Sequence, residues 1–244
     1  MRDKIREVKF KQQTLKFVYR DDSDISVIDE FFVDKMYKAT EYQISNIKYP
    51  ILDIGAHIGV FSIYASVINP KCQIFALEPE PANFELLKDN LKLNHTENVK
   101  VIRAALVSGD ELNTNLYLSK NTHNHSTVSL RGGPDPSYPL GTSYAISSSI
   151  TVPAINLERL IKEQKIKQIG LLKMDIEGAE FDIISNIKYP IFNHIQNLVV
   201  EYHESNNHKR PELETLIRSH GFSVEHFPNK FDKRFGLLVC RNKR

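Results

Sequence analysis

Three stretches of the chain hold residues whose types and spacing could do chemistry. The first is ILDIGAHIGVF, where Asp53, Gly55 and Gly59 make D-x-G-x-x-x-G at the end of a short apolar run. A glycine at that point permits a tight turn and lets a ligand approach the backbone closely. The run QIFALEPEPANF follows, with Glu78 lying 19 residues after Gly59. A carboxylate ending a second strand can accept hydrogen bonds from both hydroxyls of a ribose. A dinucleotide fingerprint would need another glycine where His57 stands, and a helix start free to receive a pyrophosphate. Asp53 beside the turn repels phosphate and suits a cationic group instead. A nucleoside carrying positive charge, S-adenosylmethionine, is therefore the expected ligand, and NAD is disfavoured.

The second stretch, GLLKMDIEGAEFDII, places Asp175 at the end of an apolar strand, where open α/β sheets bind ligands. Glu177 and Glu180 follow within a few residues, and Gly178 turns the strand into a helix. Acids at a helix start suit its dipole, so Glu180 reads as a solvated helix residue. The third stretch, LVVEYHE, carries Glu201 and His203 on one parity of a strand. If that strand neighbours the one ending at Asp175, all three side chains meet. Asp175 is the first candidate for a base or a hard-metal ligand, with His203 and Glu201 next. A divalent ion held by Asp175, Glu201 and His203 is possible chemistry, but no spacing rule demands it. His123 and His125 fall in a Ser-rich stretch and read as solvated loop.

These residues need a scaffold. Residues 7–19 alternate apolar and polar and suggest a hairpin. Asp24 could cap a helix through VIDEFFVDKMY, with Val27, Phe31, Val33 and Met36 on one face. From residue 50 strands and helices alternate: a strand PILDIGA, a helix Gly59–Ile68, a strand QIFALEP, a helix from Pro81, and a third strand VKVIRAALV. After Asn156 come a helix, the strand GLLKMDI, a helix after Gly178, the strand NLVVEY, a helix from Pro211 to Gly221, and a closing pair FSVEHF and RFGLLVC. This alternation predicts right-handed βαβ units and one mostly parallel sheet of seven strands with helices on both faces. Residues 119–149, rich in Ser, Gly and Pro, break the rhythm as a long excursion flanked by strand-like LYL and SITVPAI. The heptapeptide SNIKYPI occurs twice, at 45–51 and 185–191, each time leaving a helix. Nothing around it repeats, so it signals no repeat architecture.

Composition sets outer bounds. The chain has 244 residues, of which 41% are hydrophobic and 25% charged, enough for one sizeable α/β domain spanning 1–244. Within it, residues 1–45 form a lead-in and 119–149 an insertion. A net charge of +2 argues against nucleic acid as a partner. Cys72 and Cys240 sit far apart in apolar stretches and read as buried thiols. No apolar run is long enough for a membrane span, and MRDKIREVKFKQ is too charged for a signal peptide. A cytoplasmic location is the expectation.

ILDIGAHIGVFS, FALEPEPANFELLKDNLKLN, VPAINLERL, LLKMDIEGAEFDII and VVEYHE, in this order, resemble the FkbM-type methyltransferases. The segment through SDISVIDEFF resembles that family's lead-in. The resemblance covers roughly residues 15–205, and KMDIEGAE is its specific part. It implies a Rossmann-like class I methyltransferase fold and O-methylation of a hydroxyl on a sugar, glycan or small natural product. The expected cofactor-binding set is Asp53, Gly55, Ala56, Gly59, Glu78, Asn83, Ala105 and Asp175. The catalytic set is Asp175, Glu201 and His203. Family members commonly carry Leu-Asp where this chain has Asn156-Leu157. Alternatives are an RNA methyltransferase, since FALEPEPANFELLKDNLKLN also resembles tRNA-modifying enzymes, and a cofactor-binding scaffold without catalysis. The first lacks an Asn/Asp-Pro-Pro-Tyr-like motif after the fourth strand; the second sits poorly with Asp175.

Overall fold

A computed structural model describes residues 4–119, 146–204, 208–230 and 232–244. The chain opens with the expected hairpin, β1 (Lys4–Phe10) and β2 (Gln13–Tyr19), paired antiparallel. Its two-residue loop, Lys11-Gln12, has both residues at positive φ, the turn geometry that matches the twist of a hairpin. The next helix, α1 (Asp22–Phe32), is capped by Asp21, whose side chain accepts from the N–H groups of Ser23 and Asp24. This corrects the expectation that Asp24 is the cap. Asp24 lies fully buried in the first turn, gripped by Arg20. Ile28 and Phe31 carry the buried face of α1, whereas Val33 is exposed because the helix has already ended. A 3₁₀ turn, Met36–Thr40, leads into α2 (Glu41–Asn46).

The main sheet has seven strands: β3 (Ile51–Ile54), β4 (Ile74–Leu77), β5 (Val99–Ile102), β9 (Ile169–Met174), β10 (Ile195–His203), β11 (Phe222–Pro228) and β12 (Phe235–Asn242). Their order is β11-β12-β10-β9-β3-β4-β5, and β12 alone runs against its neighbours. Alternate residues of the central strands feed two cores. Leu52, Ile54, Leu172 and Met174 pack toward α5 (Leu157–Glu163), α6 (Glu180–Asn186) and α8 (Arg210–Ser219). Ile51, Leu171 and Val199 pack toward α1, α2, α3 (Val60–Ile68) and α4 (Pro81–Leu93). The connection direction reverses between β3 and β9, which opens a crevice at their C-terminal ends. Among the described residues no helix is long and apolar enough to cross a membrane.

The third strand is shorter than its apolar run suggests. It stops at Ile102, where the Ala104 N–H turns back to the Ile102 carbonyl at 3.1 Å. Ala105 and Leu106, as β6, instead pair with β8 (Ile146–Ile155), which lies antiparallel to β7 (Asn113–Ser119). The flanks of the excursion thus form a β stem. Its tip, with His123 and His125, lies outside the described residues.

The lead-in hairpin is moored by two asparagines of α4. Asn90 accepts from the Val18 N–H at 2.7 Å and donates to the Val18 carbonyl at 3.2 Å. Asn94 does the same for Lys16 at 2.9 and 2.7 Å. Four helical residues rise about 6 Å and two strand residues about 6.7 Å, so side-chain amides at i and i+4 can mimic a neighbouring strand. Asn90 also donates to the Ile58 carbonyl and is fully buried. Replacing it with alanine strands these backbone groups, so Asn90→Ala should destabilise the chain by about 2–3 kcal/mol in urea unfolding. A loss below about 0.5 kcal/mol would show that the hairpin docks through its apolar stripe alone.

Candidate active site

The crevice at the C-terminal ends of β3, β4 and β9 is an open cleft. Gly55 forms its floor with φ at +76°, and a Cβ there would sit 1.9 Å from the Asp175 carbonyl oxygen. Only glycine lets the two strand ends close to that separation. The N–H groups of Gly55 and Ala56 both bond the Leu77 carbonyl, at 3.1 and 2.8 Å. His57, at φ +49°, then aims its N–H at Glu78 Oε2, 2.8 Å away. Glu78 Oε1 accepts from the Glu80 N–H at 3.0 Å and from Asn83 Nδ2 at 3.4 Å. The Glu78 carboxylate is therefore held rigidly at the cleft wall. Burial raises its pKa, against the opposing pull of His57 and the backbone donors.

The expected residues divide. Gly55, Glu78, Asn83, Ala105, Asp175 and Glu201 line the cleft. Ala56 and Gly59 do not; Gly59 caps α3 at φ +91°, where a Cβ would strike Leu87. Asp53 is corrected: its carboxylate does not reach the cleft. It is fully buried, accepts from Ser62 Oγ at 2.6 Å and pairs with Lys173 at 3.1 Å. The parallel register of β3 and β9 sets Asp53 directly beside Lys173. Lys173 Nζ also donates to the Gly55 carbonyl at 2.8 Å and lies 3.5 Å from Asp175 Oδ2. Burial alone would lower its pKa, but Asp53 and Asp175 outweigh that and raise it.

One end of the cleft is acidic. Asp175 and Glu177 face it from the turn after β9, Glu201 from β10 and Glu30 from α1. Tyr37 donates its hydroxyl to Glu201 Oε2 at 3.1 Å. Glu201 is thus tied to the lead-in, and it interacts with Asp175 and His203 at the same end of the cleft. Ligand atoms of Asp175, Glu177 and His203 all lie within 4.8 Å of one another. His203 Nε2 is 3.5 Å from Glu177, and its Nδ1 is 3.2 Å from Glu180 Oε1. The reading of Glu180 as a solvated helix acid is corrected too. It is fully buried and accepts from the N–H groups of Ile176 at 2.8 Å and Gly178 at 2.9 Å. Burial first, then mutual repulsion with Asp175, pushes Glu30 up to about 7 and Glu201 well above the usual range. Glu177 is pushed up to about 8, by burial against the pull of His203. Burial would lower His203, but Glu177 and Glu180 hold it well above its ordinary value.

Several lining residues escape sequence reasoning. Val27, Glu30, Phe31 and Tyr37 come from the lead-in, and His57, Ala104, Leu106 and Leu116 complete the wall. Glu30 among them, and Lys173 behind the cleft, leave a signal. Glu30 interrupts the apolar stripe between Val27 and Phe31, and Lys173 stands inside an otherwise apolar strand, where an ionised side chain requires a partner. His57 finds its partner in Asp24, 3.3 Å away. Hydrogen bonds from His57 and Arg20 overcome burial and hold Asp24 well below the usual carboxylate range. Arg20 reaches onward to Asn83 Oδ1 at 2.6 Å, so the lead-in braces the wall near Glu78.

A fold of this topology with an acidic second-strand end and a glycine floor defines a class I methyltransferase scaffold. A family profile described as the methyltransferase FkbM domain matches residues 53–224. The chain belongs to that family. It is 28% identical over 207 residues to "Methyltransferase 1" of Beauveria bassiana, covering 80% of this chain and 79% of that protein. It is 26% identical over 215 residues to the 31-O-demethyl-FK506 methyltransferase FkbM of Streptomyces tacrolimicus, covering 80% of each. The fold matches the crystal structure of magnesium protoporphyrin IX methyltransferase from Synechocystis with bound SAM. The TM-score is 0.51 at 9% identity, over 90% of this chain and 82% of that one.

The acidic end carries a pH signature. An unfolded glutamate ionises near 4.5, while folded Glu30 keeps its proton to about 7. The folded state therefore binds more protons across that window, and stability falls as pH rises through it. His203, raised in the fold, acts in the same direction: its contribution is complete below its ordinary value of 6.5 and is lost as pH rises through the folded value. The melting temperature should decline from pH 5 to pH 8, and Glu30→Gln should flatten the decline. A melting temperature that rises over this range would contradict the buried-acid assignment.

Proposed function

We propose that the chain is a single methyltransferase domain that moves a methyl group from S-adenosylmethionine to a hydroxyl of a small natural product, sugar or glycan. The residues present fit the cofactor. Gly55 leaves the floor free of side chain, and Glu78 keeps lone pairs for ribose hydroxyls after its backbone bonds are made. Pro79, Ala104, Ala105, Leu106 and Leu116 make an apolar wall suited to a base. When bound, the cofactor supplies an electrophilic methyl on a positively charged sulfur.

The observation that carries the reading is the acidic end formed by Asp175 and Glu201 beside this cradle. An alcohol is a weak nucleophile at neutral pH, and a carboxylate within reach can accept its proton as it attacks. Glu201 is the group we assign to that task. The Tyr37 hydroxyl orients its carboxylate. Asp175, held by Lys173, orients the acceptor. Glu30 and Tyr37 close the acceptor side from the lead-in. The name of the Streptomyces relative, 31-O-demethyl-FK506 methyltransferase, specifies methylation at an oxygen, which supports O-methylation here. The acidic end also repels a phosphate backbone, which speaks against RNA. The two buried free thiols suit a reducing, cytoplasmic setting.

Calorimetry should show binding of S-adenosylhomocysteine and none of NAD. Binding of NAD alone would overturn the reading. Glu78→Ala should weaken S-adenosylhomocysteine by about 1.5–3 kcal/mol for each charge-assisted bond lost. With an acceptor in hand, Glu201→Gln should lower turnover by about 10²–10⁴-fold while leaving cofactor affinity within a few-fold. Wild-type turnover in that variant would remove Glu201 from the chemistry.

A further inference from the structure

The turn after β9 is built in a way that methyl transfer by a carboxylate base does not require. Asp175 and Glu177 project from that turn toward the imidazole of His203 on the adjacent strand β10, and the three potential ligand atoms lie within 4.8 Å of one another. Bonds of about 2.0–2.2 Å put neighbouring ligands about 3 Å apart and opposite ones about 4.3 Å apart. The cluster is thus close to a binding geometry before any ion arrives.

The imidazole is already presented as a ligand. A metal-bound histidine almost always gives its second ring nitrogen to a carboxylate, which fixes the tautomer and the ring's orientation. Glu180 does this for His203 Nδ1, leaving Nε2 aimed at Glu177. The same Glu180 carboxylate takes the N–H groups of Ile176 and Gly178, on either side of Glu177. One buried side chain therefore sets both the histidine and the backbone that carries the carboxylates. Asp175 and Glu177 face the cleft while His203 lies behind them. An ion held there would keep coordination positions open toward the acceptor.

We propose that Asp175, Glu177 and His203 bind one divalent first-row transition-metal ion at the acceptor end of the cleft. Two carboxylate oxygens with one imidazole nitrogen suit Mn²⁺, Fe²⁺, Co²⁺ or Zn²⁺ better than Mg²⁺ or Ca²⁺, whose sites are built from oxygen. Only the ion's role, holding the acceptor's oxygen, rests on the methyltransferase reading; the binding itself does not. The competing arrangement is a protonated His203 held between Glu177 and Glu180 with no ion.

The test uses the full chain, stripped with chelator and titrated with Mn²⁺. The loss of the free-ion paramagnetic resonance signal reports binding. One ion per chain is expected, with spin-echo modulation from a directly bound imidazole nitrogen. His203→Gln and Glu177→Gln should each weaken Mn²⁺ at least tenfold, and Glu180→Gln by about 10-fold through the orientation of the imidazole. Glu201→Gln should change Mn²⁺ affinity less than threefold. S-adenosylhomocysteine binding, measured on the same samples, shows that each variant is folded. No binding up to about 1 mM Mn²⁺, or binding without nitrogen modulation in the wild-type chain, would overturn the site. Mn²⁺ failing while S-adenosylhomocysteine binds would remove the metal alone. Mn²⁺ binding while S-adenosylhomocysteine fails would remove the proposed function and leave the metal site standing.

Discussion

The buried ammonium of Lys173 is the interaction on which the site depends. It is 3% exposed and sits between Asp53 and Asp175, with the Gly55 carbonyl as its third partner. It therefore ties the end of β3 to the end of β9, the two strands between which the crevice opens. Burying a lone ammonium is costly, and removing one member of a buried pair commonly costs 3–5 kcal/mol, because the other charge is left without compensation. The Gly55 floor and the placement of Asp175 follow from this clamp. So does the withdrawal of Asp53 from the cleft: its charge is used inside the fold.

Around that clamp, the rest of the molecule sets the two ends of the cleft to different polarity. The cofactor end is walled by apolar side chains and by one carboxylate, Glu78, whose orientation is dictated by backbone N–H groups. The other end concentrates acids from three elements, α1, the β9 turn and β10. The lead-in hairpin and α1 act as part of the site here. Arg20 braces Asn83 at one end, while Glu30 and Tyr37 finish the other. The asparagines of α4 hold this lead-in by imitating a strand edge, which leaves its position set by directional bonds as well as by its apolar stripe.

Much of this was legible in the amino-acid order. Short apolar runs mark the central strands, which are buried on both faces, and period-3.6 patterning marks the helices, which bury one. Gly55 is readable as the turn and Glu78 as the second-strand acid, since both are local demands of a strand running into a helix. Asp175, Glu201 and His203 can be placed at strand ends from pattern alone, and β9 and β10 prove to be neighbours. What pattern does not supply is direction. Nothing local says that Asp53 turns inward to Lys173, that Glu180 turns inward to His203, or that Glu30 reaches the cleft. Those orientations depend on partners between 23 and 145 positions away.

The repeated heptapeptide separates the two kinds of information. In both copies the asparagine ends a helix by bonding the carbonyl four residues back, Asn46 to Tyr42 and Asn186 to Asp182, and the next isoleucine is extended. That much is decided within one helical turn. Beyond it, the copies part. The first copy bends at Tyr49 and enters β3 at Ile51, where the Pro50 carbonyl meets the Gly170 N–H and the Ile51 N–H bonds the Gln73 carbonyl. The second copy coils instead into α7 (Tyr189–Phe192), whose Phe192 is buried beside Phe222. The same isoleucine lies in a strand in one place, Ile51, and in a helix in the other, Ile191. The sequence by itself determined the helix stop, through a side-chain hydrogen bond of short range. Tertiary structure decided what came next, because a strand exists only where neighbouring strands offer their backbone groups.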